Sequence, residues 1–141
     1  MSKIIAALPR VVLGAVLLLS GLVGLFHLAP AQTLEGQGAL YMTGLTGTYL
    51  FTLVKLTEVG VGALLLSNRF VPLALVVIAP VLINIAGFHA FYAPSGLAVP
   101  IVLLAAELGL AWKYRAAFAP MFVSKVEAAR EPVRGRMAAA A

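Results

Sequence analysis

Cysteine is absent from the chain. That absence removes disulfides, thiolate nucleophiles, zinc–thiolate sites and cysteine-ligated iron–sulfur clusters from the chemistry available within it. Acidic residues are scarce as well, with five Asp and Glu against ten Lys and Arg, a formal net charge of +5. Charged residues of both signs make up only 11% of the sequence and mean hydropathy is +1.05, whereas a soluble domain carries about 25% charged residues. A soluble globular fold is therefore excluded. Also missing are an HExxH pair, any other His-rich or acidic metal-ligand spacing, a Gly-rich phosphate loop after a strand and a GxSxG elbow, so nothing specifies covalent catalysis or a metal site. The basic residues flank apolar segments instead of forming a patch with interleaved aromatics, which argues against nucleic acid as a partner and for a membrane surface.

What is present is apolar sequence, 62% of 141 residues. The length fits one integral membrane domain, and the segments predict an all-α, four-transmembrane-helix, up-down bundle. Spans are expected at about 9–28, 48–66, 71–91 and 97–112, with residues 1–115 as the transmembrane domain and 116–141 as a basic tail. Residues 1–31 carry the pattern of a signal peptide, with Lys3 and Arg10, an apolar run and Ala29-Pro30-Ala31. We read them instead as an uncleaved first span in which Ser20, Gly24 and His27 share one face, a small-residue stripe of the kind that marks close helix packing. Residues 29–47 read as a polar connection with Gly36, Gly38, Gly44 and Gly47, part of it a short re-entrant or interfacial turn, and Tyr41 as an interface anchor. In the third span Pro80 predicts a kink, and Asn84 should bond across to a neighbouring helix.

The second span is the chemically distinctive one. Lys55 and Glu58 lie near its middle, where an ionisable residue facing lipid costs about 2.5–3.5 kcal/mol, so both must face protein, water or each other. At i, i+3 they can meet on one helix surface. Thr48, Thr52, Lys55, Val59 and Gly62 share that face. Glu107 lies near mid-depth in the fourth span.

Lys3, Arg10, Arg69, Lys113 and Arg115 all flank one side of the expected bundle, which places both termini in the cytoplasm by the positive-inside rule. Trp112 and Tyr114 then fall at the inner interface, Tyr41 and Tyr92 at the outer one. Past the last span, Phe118, Met121, Phe122 and Val126 recur among Lys125, Arg130, Arg134 and Arg136, which predicts a basic amphipathic segment on the anionic inner leaflet, ended by Pro132. A solvated tail is the plain alternative.

Two patterns occur twice in the same order, Gly24-Leu25-Phe26-His27 with Gly87-Phe88-His89, and Glu58-Val59-Gly60 with Glu107-Leu108-Gly109. They suggest a parallel repeat of two helical hairpins, a design that places sites at the repeat interface. In that reading Lys55 stands between Glu58 and Glu107, and the trio could hold a proton or present one to a ligand. A neutralised structural pair is the competing reading. His27 and His89, each near the outer end of a helix, could ligate a haem iron as two neutral imidazoles, or serve only as interfacial anchors.

Several of these residues resemble a known family. Ser20-Gly21 followed by Phe26, then Lys55-Leu56-Thr57-Glu58-Val59-Gly60-Val61-Gly62 with Leu64-Leu65-Leu66, and a third span starting at once after Asn68-Arg69, are similar to the DoxX and DoxX-like membrane proteins over about residues 5–115. The resemblance implies a four-helix bundle in the bacterial cytoplasmic (inner) membrane. One relative is a small subunit of a thiosulfate:quinone oxidoreductase, and others are associated with redox partners. No catalytic residue carries over. The function expected first is an accessory subunit of a redox complex that anchors a partner, with quinone as its candidate cofactor and Lys55, Glu58, Glu107, Asn84 and Ser20 as polar lining of a quinone- or lipid-sized pocket. Other membrane or peripheral subunits and the lipid bilayer are its expected partners. A structural or assembly protein, a small proton-coupled transporter and, last, a haem carrier using His27 and His89 are the alternatives.

Overall fold

A computed structural model describes residues 3–29 and 33–125. The described chain is helical: α1 Lys3–Leu25, α2 Gly36–Thr46, α3 Tyr49–Leu66, α4 Val71–Tyr92, α5 Ala98–Lys113 and a short α6 Arg115–Phe118, with single 3-10 turns at Pro94–Gly96 and Ala119–Phe122. Within α1, α3 and α4, the stretches Ala7–Leu25, Tyr49–Leu66 and Val71–Tyr92 are each long and apolar enough to cross a membrane. This is a membrane protein, its outward Leu, Ile and Val side chains suited to contact with a bilayer. Helix α5 has 16 residues, about 24 Å at 1.5 Å per residue.

Two helix ends explain the turns. At the end of α1, Leu28 N donates to Val23 O and His27 N to Gly24 O, the paired bonds of a Schellman cap with His27 in the left-handed conformation at φ 53°. Arg69 N to Leu64 O and Asn68 N to Leu65 O repeat the device after α3, with Asn68 at φ 57°. Phe70, also left-handed, then leads directly into α4. Helix α4 continues through Pro80 to Tyr92.

The closest packing joins α1 to α3, and glycine makes it possible. A Cβ on Gly62 would come within 2.7 Å of Leu18 N and 2.8 Å of Gly14 O, and one on Gly21 within 2.9 Å of Lys55 O and Val59 N. The backbones touch there, as small residues permit between membrane helices. Because Gly14 meets Leu65 while Gly24 meets Lys55, α1 and α3 run antiparallel. Arg10 reinforces the pair at the other end: its Nη1 donates to the carbonyls of Leu65 and Leu66, satisfying orphan acceptors at the negative end of α3.

Helix α1 also packs on α5, and α4 packs on both α3 and α5. The four long helices thus form a square, with α1 opposite α4 and α3 opposite α5. Each hairpin, α1–α3 and α4–α5, has the same neighbours, an arrangement compatible with the repeat suggested by sequence. The buried apolar core fills one half of the square: Leu13 and Leu17 of α1, Val61 and Leu65 of α3, Val71, Ala74, Leu75, Ile78 and Leu82 of α4, Leu103 and Leu110 of α5. That half carries Arg10, Arg69, Lys113 and Arg115.

Two segments differ from the sequence reading. The expected polar connection contains α2, docked on α4: Tyr41 Oη donates to Asn84 Oδ1 at 2.5 Å, and the Tyr41 ring lies 5.2 Å from Phe88 and 6.1 Å from Tyr92 between centroids. Three glycines within it and Gly47 at its end hid this helix, because its order comes from contacts with α4 and not from an apolar period. Beyond α5 the described chain holds two short turns instead of one continuous amphipathic helix, with Pro120, which has no N–H to donate, inside the second. Phe118 packs against the core, while Met121, Phe122 and Val123 are exposed. Val126, Arg130, Pro132, Arg134 and Arg136 lie outside the described residues.

A polar cavity between the four long helices

Above the apolar core, toward the end opposite the basic residues, α1 and α3 stay in close contact at Gly21 and Gly24, and a space is left between that pair and the α4–α5 hairpin. This half-open cavity of about 340 Å³ is lined by Val16, Leu17 and Ser20 of α1, Glu58 of α3, Ile85 and His89 of α4, and Val99, Pro100 and Leu103 of α5, with Gly96 of the preceding turn. Its walls are apolar except at three side chains, Ser20, Glu58 and His89. A volume of this order, apolar with a few convergent polar groups, is the usual form of a small-molecule site.

Glu58 is wholly buried, at 0% exposure, and an isolated buried carboxylate would be prohibitive. Its counterion is one helical turn earlier: Lys55 Nζ stands 2.9 Å from both Oε1 and Oε2, as the i, i+3 spacing predicts. Lys55 reaches it by laying its stem across α1, where a Cβ on Gly24 would come within 2.5 Å of Lys55 Cδ. The third ammonium proton goes to Ser20 Oγ at 3.3 Å, and the Phe51 ring lies 5.7 Å from the nitrogen. All three N–H donors of Lys55 are thereby engaged inside the protein. Small residues on α1 and the ion pair on α3 are one construction, since Ser20 accepts from the same lysine whose stem needs Gly24.

Half-buried Ile85 and His89 continue the buried stripe of α4, Leu75, Ile78 and Leu82, at helical spacing. Its Nδ1 lies 2.9 Å from Ile85 O. A carbonyl only accepts, so Nδ1 carries the proton and Nε2 of the neutral ring is an acceptor. The ring abuts Gly96: a Cβ there would meet His89 Cδ2 at 2.7 Å and Nε2 at 3.0 Å.

The remaining sequence candidates are elsewhere. Glu107 is buried at 5% exposure on the inward stripe of α5 with Pro100, Leu103 and Leu110, one turn beyond Leu103 toward the basic end. It does not line the cavity, and no oxygen of it comes within ion-pair distance of Lys55, whose carboxylate partner is Glu58. The expected trio is therefore a Lys55–Glu58 pair and a separate carboxyl, because α3 and α5 stand on a diagonal of the square. Asn84 does bond to another helix, but on the outside of α4, to Tyr41, away from the cavity. His27 is exposed, terminates α1 and has its ring tilted 41° against Phe51 at 6.3 Å between centroids. It belongs to the α1–α3 edge, whereas His89 lies against Gly96 of the turn before α5. Among the described residues, no three His, Asp or Glu side chains gather as a metal site would need.

The sequence reading gave His89 as a haem ligand or an interfacial anchor and did not single out Gly96, Pro100 or Leu103 as lining residues. The signal for His89 was available in its i+4 and i+7 spacing from Ile85 and Leu82. No family model, no curated protein and no solved structure matches the chain.

Proposed function

We propose that this chain is a DoxX-like accessory subunit in the bacterial cytoplasmic membrane. In this reading α5, extended by the turn before it and Tyr114 after it, completes a fourth span, and both termini are cytoplasmic. The subunit anchors a redox partner and offers a lateral pocket for a quinone- or lipid-sized headgroup. It carries no electron itself; the partner supplies the redox centre.

The single observation that carries the proposal is the cavity lined by Ser20, Glu58 and His89 inside an otherwise apolar bundle. A purely structural subunit needs no such space, and polar groups in the interior of a membrane bundle are by default functional candidates. The collection of every described Lys and Arg flank at the opposite end supports the orientation.

The test is purification of the tagged full chain from its native membrane in mild detergent, with identification of bound subunits and of extracted small molecules. A co-purifying redox protein and a bound quinone or lipid are expected. Leu103→Trp, which fills the cavity, should remove the small molecule and leave the partner bound. A chain that returns alone, with the same lipid content before and after Leu103→Trp, would overturn the reading.

A further inference from the structure

The hydrogen-bonding capacity left over in the cavity is one-sided, and this rests on the pocket reading above. Lys55 has spent its three N–H donors on Glu58 Oε1, Glu58 Oε2 and Ser20 Oγ. Its charge is therefore not presented to a ligand as a free donor. Glu58 contributes only acceptor oxygens. His89 gives its one N–H to Ile85 O, which leaves Nε2 as a lone pair beside Gly96, a residue of the cavity lining. The one donor that remains on the lining is the Ser20 hydroxyl, whose oxygen is already an acceptor for Lys55.

We infer that the cavity selects the hydroxylated form of a ring headgroup over its carbonyl form, with His89 Nε2 as the acceptor that holds the ring hydroxyl. A hydroxyl can donate to Nε2 or Glu58 and, at the far side of a dihydroxylated ring, accept from Ser20. A carbonyl oxygen in the same place faces a second acceptor and leaves both unsatisfied. Discrimination of this type arises because the penalty falls on polar groups left without partners against an apolar wall, here half-buried His89 and Ser20 beside buried Glu58. His89 is here a ligand-binding residue, and Gly96 is the space that lets its ring stand at the wall.

The test uses the full chain in phosphatidylcholine nanodiscs, with binding measured by equilibrium partition against empty nanodiscs. Two matched probe pairs are compared: a short-tailed benzoquinol, kept reduced under anaerobic conditions, with its benzoquinone, and an alkylphenol with its methyl ether. The hydroxylated member of each pair is expected to bind about tenfold more tightly. His89→Gln, whose amide also donates, should shrink both ratios toward one. Gly96→Ala, which pushes the imidazole off the wall, should weaken the hydroxylated probes about tenfold without loss of helical circular dichroism. The inference is overturned if the benzoquinone or the ether binds as tightly as its partner to the unaltered chain, or if His89→Gln leaves the ratios unchanged. If no probe exceeds empty nanodiscs, the pocket reading itself fails; a probe bound without discrimination overturns only the role of His89. Should His89→Gln not fold, the ratios of the unaltered chain and of Gly96→Ala decide.

Discussion

The ammonium of Lys55 stands 2.9 Å from each carboxylate oxygen of Glu58, and the glutamate is buried at 0% exposure. One helical turn therefore contains both the most costly group in the bundle and the group that neutralises it. The pair is fixed from outside its own helix as well, by Ser20 Oγ and by the bare face of Gly24.

Removing only the lysine should be more damaging than removing the pair. Lys55→Met leaves Glu58 buried and uncompensated, a loss of about 3–5 kcal/mol, whereas Lys55→Met with Glu58→Gln should recover most of it. Glu107→Gln should add to Lys55→Met without coupling, because Lys55 makes no ion pair with it. Unfolding in mixed micelles measures each term. Coupling of Lys55 to Glu107 as large as that to Glu58 would contradict the observed pairing.

Two glycines in the same helix should behave in opposite ways. Gly62→Ala drives a Cβ into the backbone of α1, 2.7 Å from Leu18 N, and should destabilise by about 1–3 kcal/mol. Gly60→Ala meets open space and should stabilise by about 0.4–1 kcal/mol through the unfolded state. Equal effects in a detergent unfolding series would show that α1 and α3 do not approach as described.

Docking of α2 depends on one phenol. Tyr41→Phe removes the hydrogen bond to Asn84 Oδ1, worth about 0.5–1.5 kcal/mol, while keeping the ring against Phe88 and Tyr92. Amide exchange should quicken across Gly36–Thr46 and stay unchanged in α3. No change in α2 would mean that the aromatic contacts alone hold it.

The proposed orientation has a direct readout. Ser95 and Ser124 are exposed near opposite ends of the bundle. In intact cells an impermeant thiol reagent should label Ser95→Cys, and should reach Ser124→Cys only after permeabilisation. The reverse pattern would place the basic end outside and refute the positive-inside assignment.

Much of the fold was legible in the sequence because a bilayer leaves few options. Continuous apolar runs dictate helices where water cannot satisfy the backbone, and the ends of α3 and the start of α4 fall within a residue of expectation. The Lys55–Glu58 contact was legible too, since i, i+3 geometry is internal to one helix. So was the fact that both charges must turn inward.

What only the tertiary structure decided is which helix faces which. Periodicity defines a face but not its neighbour. Glu107 therefore looked like a third member of the Lys55 site until α3 and α5 took opposite corners, and Asn84 looked like pocket lining until α2 claimed it from outside. Helix α2 itself carries too much glycine to announce a helix and is ordered by Tyr41 and Gly38 against α4. The cavity is the clearest case: glycines draw α1 and α3 into backbone contact, the α4–α5 hairpin has none at its interface to do the same, and the space that remains, with the Nε2 of His89 at its wall, is a consequence of packing that no single segment encodes.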